Sequence, residues 1–396
     1  MKALEVLSKG PPTPNYQGGT MRMAQLLSLG QSPWLDMIER GHTRSGELRR
    51  MIEEEGLRGM TSNPSIFDKS ISQGEEYEVD IQRLAAEGKN AFDIYEVLTV
   101  TDIQEATAAF KPVYEQSGGV DGYVSLEPPS QYSYDLEKTL SEVPRLFQLV
   151  GAPNLMMKVP GTPEGVVALR WLISHGININ VTLLFSPHNY AMIAQAYIDG
   201  LRGLAEHGGD LSRVASVASV FVSRIDTAVD KHLEELLAAE SDPSSKRELE
   251  GLRGQAALAN SRVIYQIYQQ RFAAADFKTL EDIGARPQRV LWGSTSTKNP
   301  EYNDLKYIDG LIGTGTVNTL PPDTWQAFSD HGTAQPALTL DASGARAVLD
   351  RLEAVGINME EVHSTLQRDG VASFAASLDS LLYTLEERRK VFQGTP

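Results

Sequence analysis

The stretch NLMMKVP, residues 154–160, has the apolar composition of a buried β-strand, and its only charged residue is Lys158. It is followed by Gly161, by Thr162, which can cap a helix, and by Pro163, which suits the first helical position. A strand that passes through a short turn into a helix is half of a β–α–β unit. This stretch therefore predicts a parallel α/β fold that carries one lysine in its sheet.

Strand alternation gives Lys158 a defined side of the sheet. Met156 and Lys158 share one face, and the other face carries the apolar side chains Leu155, Met157 and Val159. Apolar neighbours remove water from the amine and disfavour its charged form, as an amine nucleophile requires. Two interpretations follow. The lysine either forms a Schiff base with a carbonyl substrate or is a structural lysine paired with a carboxylate.

Eight segments of the chain have strand character, and most of them are separated by helical patterns. With their exit turns they are residues 32–37, 57–64, 122–129, 154–160, 178–185, 214–222, 289–295 and 316–321. Eight such units without a glycine-rich dinucleotide fingerprint predict an α/β fold of the (β/α)8 TIM barrel type rather than a doubly wound sheet. Extra helices and a C-terminal helical extension complete the prediction.

The boundaries of three helical regions can also be predicted from the sequence. Residues 75–117 are expected to be mostly helical, with breaks near Gly88 and Pro112. Residues 246–273 have the pattern of one helix. The last helix is expected at residues 370–392, with one apolar face that packs near the rim of the barrel.

Composition limits the classes of protein to consider. The chain has 396 residues, 41% of them hydrophobic, with no cysteine and a net charge of −16. The lack of cysteine excludes disulfides and thiolate sites, and the negative charge argues against nucleic acid or an anionic membrane as a partner. No apolar run approaches the ~20 residues of a membrane span. The first residues show no signal-peptide pattern, so a cytoplasmic location is expected. Residues 1–20 are expected to be a flexible tail or leader, and residues 21–396 a single domain.

Polar side chains stand at or near the ends of six successive strands. They are Asp36, Asn63, Glu127, Lys158, Asn180 with Thr182, and Ser219. Any one of them can be explained as a cap or turn residue, and this explanation is preferred for Asn63 or Ser219 taken alone. However, the carboxyl ends of barrel strands form the active-site rim. Six strands in succession with polar ends predict a shared pocket with one amine, two acids and neutral hydrogen-bonding groups. The histidines are not spaced as metal ligands are.

Two cations near the last strands suggest an anion site. Arg224 follows the sixth strand, and Lys298 follows the turn 294–297, which offers serine and threonine hydroxyls and backbone donors. Many barrels bind phosphate beside the last strands. The alternative is that both cations are solvated surface charges.

The sequence resembles the transaldolase family over about residues 30–390. The motifs that carry the resemblance are WLD at 34–36, TSNP at 61–64, VSLE at 124–127, MKVP at 157–160, NVTLLFS at 180–186 and SVFVSRI at 219–225. The segments KNP at 298–300 and VNTLPP at 317–322 are similar to those of the long bacterial subgroup. The resemblance implies a Schiff-base enzyme of the pentose phosphate pathway.

The resemblance also implies roles for individual residues. Lys158 is implied to form the Schiff base, Asp36 to handle the proton of carbon–carbon cleavage, and Glu127 with Thr182 to position water. The implied substrate-binding residues are Asn63, Asn180, Ser219 and Phe221 around the donor, and Arg224, Thr295 and Lys298 around phosphate. The sequence departs from the better-known subgroup at the second phosphate arginine, where Thr297 stands, and Lys298 with the preceding turn is expected to replace it. Lysine does not fully reproduce the bidentate grip of arginine.

The implied reaction moves a dihydroxyacetone unit from sedoheptulose 7-phosphate or fructose 6-phosphate to glyceraldehyde 3-phosphate or erythrose 4-phosphate. It needs no metal and no organic cofactor, and a monomer or homodimer is expected. The nearest rival is an aldolase that releases free dihydroxyacetone, although such relatives lack the counterpart of Glu127 and carry tyrosine at the Phe221 position. The other rivals are a sugar-phosphate isomerase or lyase that uses Lys158 only as a charge, and a non-catalytic sugar-phosphate-binding barrel.

Overall fold

The computed structural model describes residues 21–339 and 342–393, and its centre is a closed barrel of parallel strands in sequential order. The strands are β1 (Gln31–Asp36), β2 (Gly59–Thr61), β3 (Tyr123–Leu126), β4 (Leu155–Pro160), β5 (Ile179–Leu184), β6 (Ser216–Phe221), β7 (Arg289–Gly293) and β8 (Thr316–Leu320). This confirms the predicted (β/α)8 barrel, with each strand inside its predicted segment or within one residue of it. The predicted tail at residues 1–20 lies outside the described residues.

The two faces of each strand pack against different partners. Outward side chains, such as Leu155, Met157 and Val159 on β4, join the main core beneath the helices. Inward side chains form a second apolar cluster inside the barrel, made of Trp34, Tyr123, Met156, Ala215, Val217, Leu291 and Val317. The predicted alternation is therefore confirmed, and Lys158 faces the barrel interior two residues beyond Met156. This apolar cluster fills the barrel interior below the polar residues at the carboxyl ends of the strands.

Helices surround the barrel and connect its strands. In chain order they are α1 (Met21–Ser28), α2 (Arg40–Arg44), α3 (Glu47–Glu54), α4 (Pro64–Gln73), α5 (Glu78–Ala86), α6 (Ala91–Gln116), α7 (Leu136–Val150), α8 (Pro163–Ser174), α9 (Pro187–Glu206), α10 (Ser223–Ala239), α11 (Pro243–Leu252), α12 (Ala256–Phe272), α13 (Ala275–Glu281), α14 (Lys306–Asp309), α15 (Pro322–His331), α16 (Ala342–Ala354) and α17 (Met359–Gln393). Within residues 21–339 and 342–393, none of the helices is long and apolar enough to cross a membrane.

Three helices that follow strands begin with the same device. The side chains of Asn63, Thr162 and Ser186 each accept a hydrogen bond from a backbone N–H of the first turn, and each is followed by proline. The polar side chain satisfies an N–H group that has no partner inside the helix, and proline presets the helical φ angle. These caps fix the points at which β2, β4 and β5 leave the barrel, which confirms the predicted start of α8.

Helix α6 differs from the sequence expectation. The predicted break near Gly88 is confirmed, since α5 ends at Ala86, but α6 continues through Pro112. Proline inside a helix costs about 3 kcal/mol because it removes one hydrogen bond and crowds the preceding turn. Burial of Ile103 and Phe110 on the same helix offsets this cost.

Two further helix boundaries were also predicted wrongly. Residues 246–273 form parts of two helices, α11 and α12, because the chain turns at Gly254 with a positive φ of 66°. Helix α17 begins at Met359 rather than at Gly370. Gly370 lies inside α17, where a Cβ atom would come within 2.7 Å of the Leu183 side chain. Glycine here permits close contact with the barrel instead of starting a helix.

Candidate active site

The amine of Lys158 is enclosed at the carboxyl end of the barrel. The residue is 4% exposed, and its Nζ donates a hydrogen bond of 2.9 Å to the carbonyl oxygen of Ser62. Nζ also lies 3.2 Å from Oε2 of Glu127. The ring centroid of Phe374, from α17, is 5.9 Å from Nζ. The carboxylate pairing of the structural interpretation is thus present, but the pair lies beside the other predicted site residues.

Two carboxyl groups accompany the amine. Burial raises the pKa of both Asp36 and Glu127 above the ordinary values of these side chains, and the positive charge of Lys158 opposes this rise in both. For Asp36 the strongest opposing effect on its pKa is the 2.6 Å hydrogen bond that Thr61 Oγ1 donates to Oδ1. Acids with raised pKa values beside an amine form an arrangement suited to proton transfer.

Neutral polar groups line the barrel interior next to Lys158. Asn180 pairs with Lys158 in the register of β4 and β5. Its Nδ2 donates to Ser125 Oγ at 3.0 Å, and its Oδ1 accepts from Ser219 Oγ at 2.6 Å. The hydroxyl of Thr182 is buried and has no hydrogen-bond partner among the described residues. A hydroxyl of this kind can both donate to and accept from water or a substrate hydroxyl.

Asn63 serves as a helix cap in the structure. Its Oδ1 accepts a hydrogen bond of 3.0 Å from the backbone N–H of Ile66 in α4. The sequence analysis preferred this role as a cap for Asn63 taken alone. The Nδ2 group of Asn63 is left available to other partners. The preceding residue, Ser62, supplies the carbonyl oxygen that contacts Lys158. Contact between Asn63 and a donor hydroxyl stays a prediction.

Arg224 lies in the first turn of α10, beside the aromatic ring of Phe221. Its guanidinium carbon is 5.2 Å from the ring centroid of Phe221, at the end of β6. Burial lowers the pKa of Arg224, and the negative charge of Asp36 opposes this effect. No carboxylate within residues 21–339 and 342–393 lies at ion-pair distance from Arg224. The guanidinium is therefore available to bind an anion.

Only part of the turn after β7 lies close to Arg224. Ser294, with a left-handed φ of 53°, accepts a 3.0 Å hydrogen bond at its carbonyl oxygen from the N–H of Ser223, beside Arg224. The hydroxyl of Thr295 is instead buried and donates to Asn318 Oδ1 at 3.1 Å. Lys298 is exposed, and its ammonium has no ion pair among the described residues. The roles of Thr295 and Lys298 in phosphate binding stay predictions.

Sequence reasoning missed part of the site. Thr61 lies two residues before Asn63, and Ser125 lies two residues before Glu127. Each therefore shares the inward face with a predicted site residue, and alternation could have identified both. The sequence predicted that Phe374 lies on the apolar face of the last helix, near the rim, but it did not indicate the contact of this ring with Lys158. Helix α17 reaches the rim through several contacts, including a 2.7 Å contact between the hydroxyls of Ser377 and Ser65. Across residues 21–339 and 342–393, no three histidine, aspartate or glutamate side chains are grouped as a metal site.

Comparison with known proteins gives one consistent set of matches. Residues 33–385 match the family described as Transaldolase/Fructose-6-phosphate aldolase. The Transaldolase of Trichodesmium erythraeum (strain IMS101) is 43% identical over 373 residues, which cover 94% of this chain and 98% of that protein. The Transaldolase of Thiobacillus denitrificans (strain ATCC 25259 / T1) is 44% identical over 354 residues, which cover 89% of this chain and 96% of that protein. The Transaldolase of Thermobifida fusca (strain YX) is 41% identical over 365 residues, with 91% of this chain and 96% of that protein covered.

Proposed function

This chain belongs to the transaldolase/fructose-6-phosphate aldolase family, and we propose that it transfers a dihydroxyacetone unit between sugar phosphates through a Schiff base on Lys158. The observation that carries the proposal is the enclosed amine of Lys158, which lies 3.2 Å from the carboxylate of Glu127 and near a second, half-buried acid, Asp36. A site that only bound sugar phosphate would not need a buried amine between two acids. Cytoplasmic location and a monomeric or homodimeric state stay predictions.

The first step is condensation of Lys158 with the ketose. The amine must be neutral to attack the C2 carbonyl, and the burial that raises the pKa of Glu127 helps this carboxylate to accept the ammonium proton. Attack gives a carbinolamine, whose hydroxyl leaves as water with a proton from an acid. We assign the holding of this water to Glu127 and to the Thr182 hydroxyl, because that hydroxyl has no hydrogen-bond partner among the described residues. The product is an iminium ion that can accept electrons from the adjoining carbon chain.

The second step breaks the C3–C4 bond. Asp36 removes the proton of the C4 hydroxyl, the C4 aldehyde leaves, and the bonding electrons pass to the iminium to give an enamine. The three-carbon unit stays attached to Lys158 until an acceptor aldose enters. The enamine then attacks the acceptor aldehyde, Asp36 returns the proton, and hydrolysis by water frees the new ketose. The sequence is a ping-pong exchange.

Borohydride trapping tests this function against its rivals. The enzyme is incubated with fructose 6-phosphate, reduced and analysed by mass spectrometry, and erythrose 4-phosphate is offered in a parallel sample. A reduced three-carbon adduct on Lys158 together with acceptor-dependent sedoheptulose 7-phosphate is expected. Release of free dihydroxyacetone without transfer would assign the aldolase reaction instead. No adduct from folded enzyme would leave an isomerase, a lyase or a non-catalytic barrel.

We expect activity to depend on the ionisation of Asp36. Because burial raises the pKa of this carboxyl and catalysis needs it ionised, kcat/KM should fall on the acidic side as pH drops through the raised pKa. Thr61→Val removes the hydrogen bond that favours the ionised form, so it should move the acidic limb to higher pH. Thr61→Ser retains the hydroxyl and should keep the wild-type profile. An acidic limb at the same pH in all three enzymes would contradict this assignment.

Arg224 is expected to bind the substrate phosphate. A hydrogen bond to a charged group contributes about 1.5–3 kcal/mol, so Arg224→Ala should raise KM for fructose 6-phosphate by about 10- to 150-fold. Steady-state kinetics with fructose, which lacks the phosphate, provide the control, and there the variant should match the wild type. Lys298→Ala should have a smaller effect, since Lys298 is exposed. Equal losses with fructose and its phosphate would show that Arg224 acts on the protein rather than on the phosphate.

A further inference from the structure

The backbone of β5 is strained beside Thr182. Leu183 has a left-handed φ of 56°, a conformation that non-glycine residues rarely adopt. The register between β5 and β6 shifts at this point, because Val181 pairs with Ala218 whereas Leu184 pairs with Val220. Thr182 and Leu183 therefore form a β-bulge, and bulges re-aim side chains. Strain of this kind persists only where surrounding groups hold it.

A side chain of the last helix holds this bulge. Gln367, in α17, donates from Nε2 to the carbonyl oxygen of Leu183 at 3.1 Å and to that of Gly161 at 2.9 Å. Gly161 directly follows β4, the strand of Lys158, and its N–H donates to the carbonyl oxygen of Thr182 at 2.8 Å. The amide group of Gln367 thus connects the end of β4, which carries Lys158, with the end of β5, which carries Thr182.

Helix packing keeps this amide in place. Gly370 lies one turn after Gln367, and its lack of a Cβ lets α17 approach the Leu183 side chain closely. Phe374 lies one further turn along the same face and covers the amine of Lys158. Gln367, Gly370 and Phe374 therefore form one contact line from the bulge to the nucleophile.

We propose that Gln367 is a positioning residue for the water steps of the reaction. By holding the carbonyl oxygens of Leu183 and Gly161, it fixes the Thr182 hydroxyl relative to Lys158. The inference rests on the proposed function, since the water steps exist only if Lys158 forms a Schiff base. Asp36 lies on β1, across the closed barrel from β5, so carbon–carbon cleavage should be affected only indirectly.

Oxygen exchange measures the water steps directly. When the carbinolamine loses water and takes it up again, the C2 oxygen of fructose 6-phosphate is replaced by solvent oxygen. Gln367→Met keeps the length of the side chain and removes its hydrogen-bond donors. In water enriched in oxygen-18, this variant should incorporate label about tenfold more slowly than the wild type, with KM for fructose 6-phosphate changed less than twofold. If Gln367→Met does not fold, Gln367→Asn keeps an amide that is too short to reach both carbonyl oxygens.

Arg388 provides a matched control on the same helix. Its guanidinium donates to the carbonyl oxygens of Ile71 at 3.0 Å and Ser72 at 2.9 Å, away from β5. Both Arg388→Ala and Gln367→Met should lower the melting temperature, because each removes hydrogen bonds that hold α17. Oxygen exchange by Arg388→Ala should nevertheless stay within twofold of the wild type. Wild-type exchange in Gln367→Met, or equal slowing in both variants, would overturn the inference. If the wild type gives neither exchange nor a trapped adduct, the proposed function itself fails.

Discussion

Lys158→Met is expected to abolish transfer. Without the amine no covalent intermediate forms, and turnover should fall by about four orders of magnitude or more. Methionine preserves much of the length and the apolar stem that pack beneath Phe374, so the pocket keeps its shape. The measurement is formation of sedoheptulose 7-phosphate from fructose 6-phosphate and erythrose 4-phosphate, with intact mass after borohydride to show that the adduct is absent.

The main risk for this variant is loss of stability, because Lys158 is paired with Glu127. Breaking a buried ion pair costs about 3–5 kcal/mol when the remaining charge stays ionised. Here the positive charge of Lys158 is the strongest influence that lowers the pKa of Glu127, so its removal lets the carboxyl become neutral. Thermal unfolding of Lys158→Met should therefore remain cooperative. Lys89→Met makes the same change at an exposed lysine and should keep full activity. Measurable adduct on Lys158→Met would place the nucleophile elsewhere.

Asp36→Asn is expected to stop the reaction after the Schiff base has formed. Asparagine retains the shape of the side chain and an oxygen for the Thr61 hydroxyl, but it cannot accept the C4 hydroxyl proton. Loss of a general base lowers rates by about 10²–10⁴-fold. Borohydride should then trap the intact six-carbon phosphate on Lys158, whereas the wild type gives the three-carbon adduct. The mass difference between the two adducts identifies the blocked step.

Glu127→Gln is the matched comparison, because it makes the same change from acid to amide at the second carboxyl group of the site. It should slow formation of the adduct itself, since Glu127 is proposed to handle the protons of the amine and the water. A six-carbon adduct that accumulates in Glu127→Gln but not in Asp36→Asn would exchange the roles of the two acids. A three-carbon adduct formed at the wild-type rate by Asp36→Asn would remove Asp36 from the cleavage step.

The barrel could be predicted because its signals are local. Each strand is short, contains apolar residues and is followed by a turn or a helix start. Three of the caps on the following helices combine a polar side chain with proline. Alternation along β4 was sufficient to place Lys158 in the interior with Met156. Helix boundaries were harder, because burial of Phe110 carries α6 through Pro112 and a contact with Leu183 explains Gly370. At Pro112 and at Gly370, tertiary contacts keep the helix continuous although proline and glycine ordinarily interrupt helices.

The site could be predicted in its residue types but not in its internal contacts. Nothing in the order of the sequence indicates that Asn180 joins Ser125 and Ser219, because these bonds depend on the registers of three strands. The left-handed conformation of Leu183 could not be predicted from the sequence either, since leucine has no preference for it. Gln367 is separated from its partner Leu183 by 184 positions along the chain. Long-range contacts of this kind need the folded arrangement.

The place of α17 in the chain has a consequence for the maturation of the enzyme. Every strand of the barrel is synthesised before α17, so the barrel of a growing chain can close while Lys158 is still uncovered. Phe374 and Gln367 reach the rim only when the final helix docks. A partly synthesised chain would therefore expose Lys158 to aldehydes in solution, and Gln367 would not yet hold the carbonyl oxygen of Leu183 beside Thr182. Competence for transfer is then acquired late, in the step that brings the last helix onto the finished barrel.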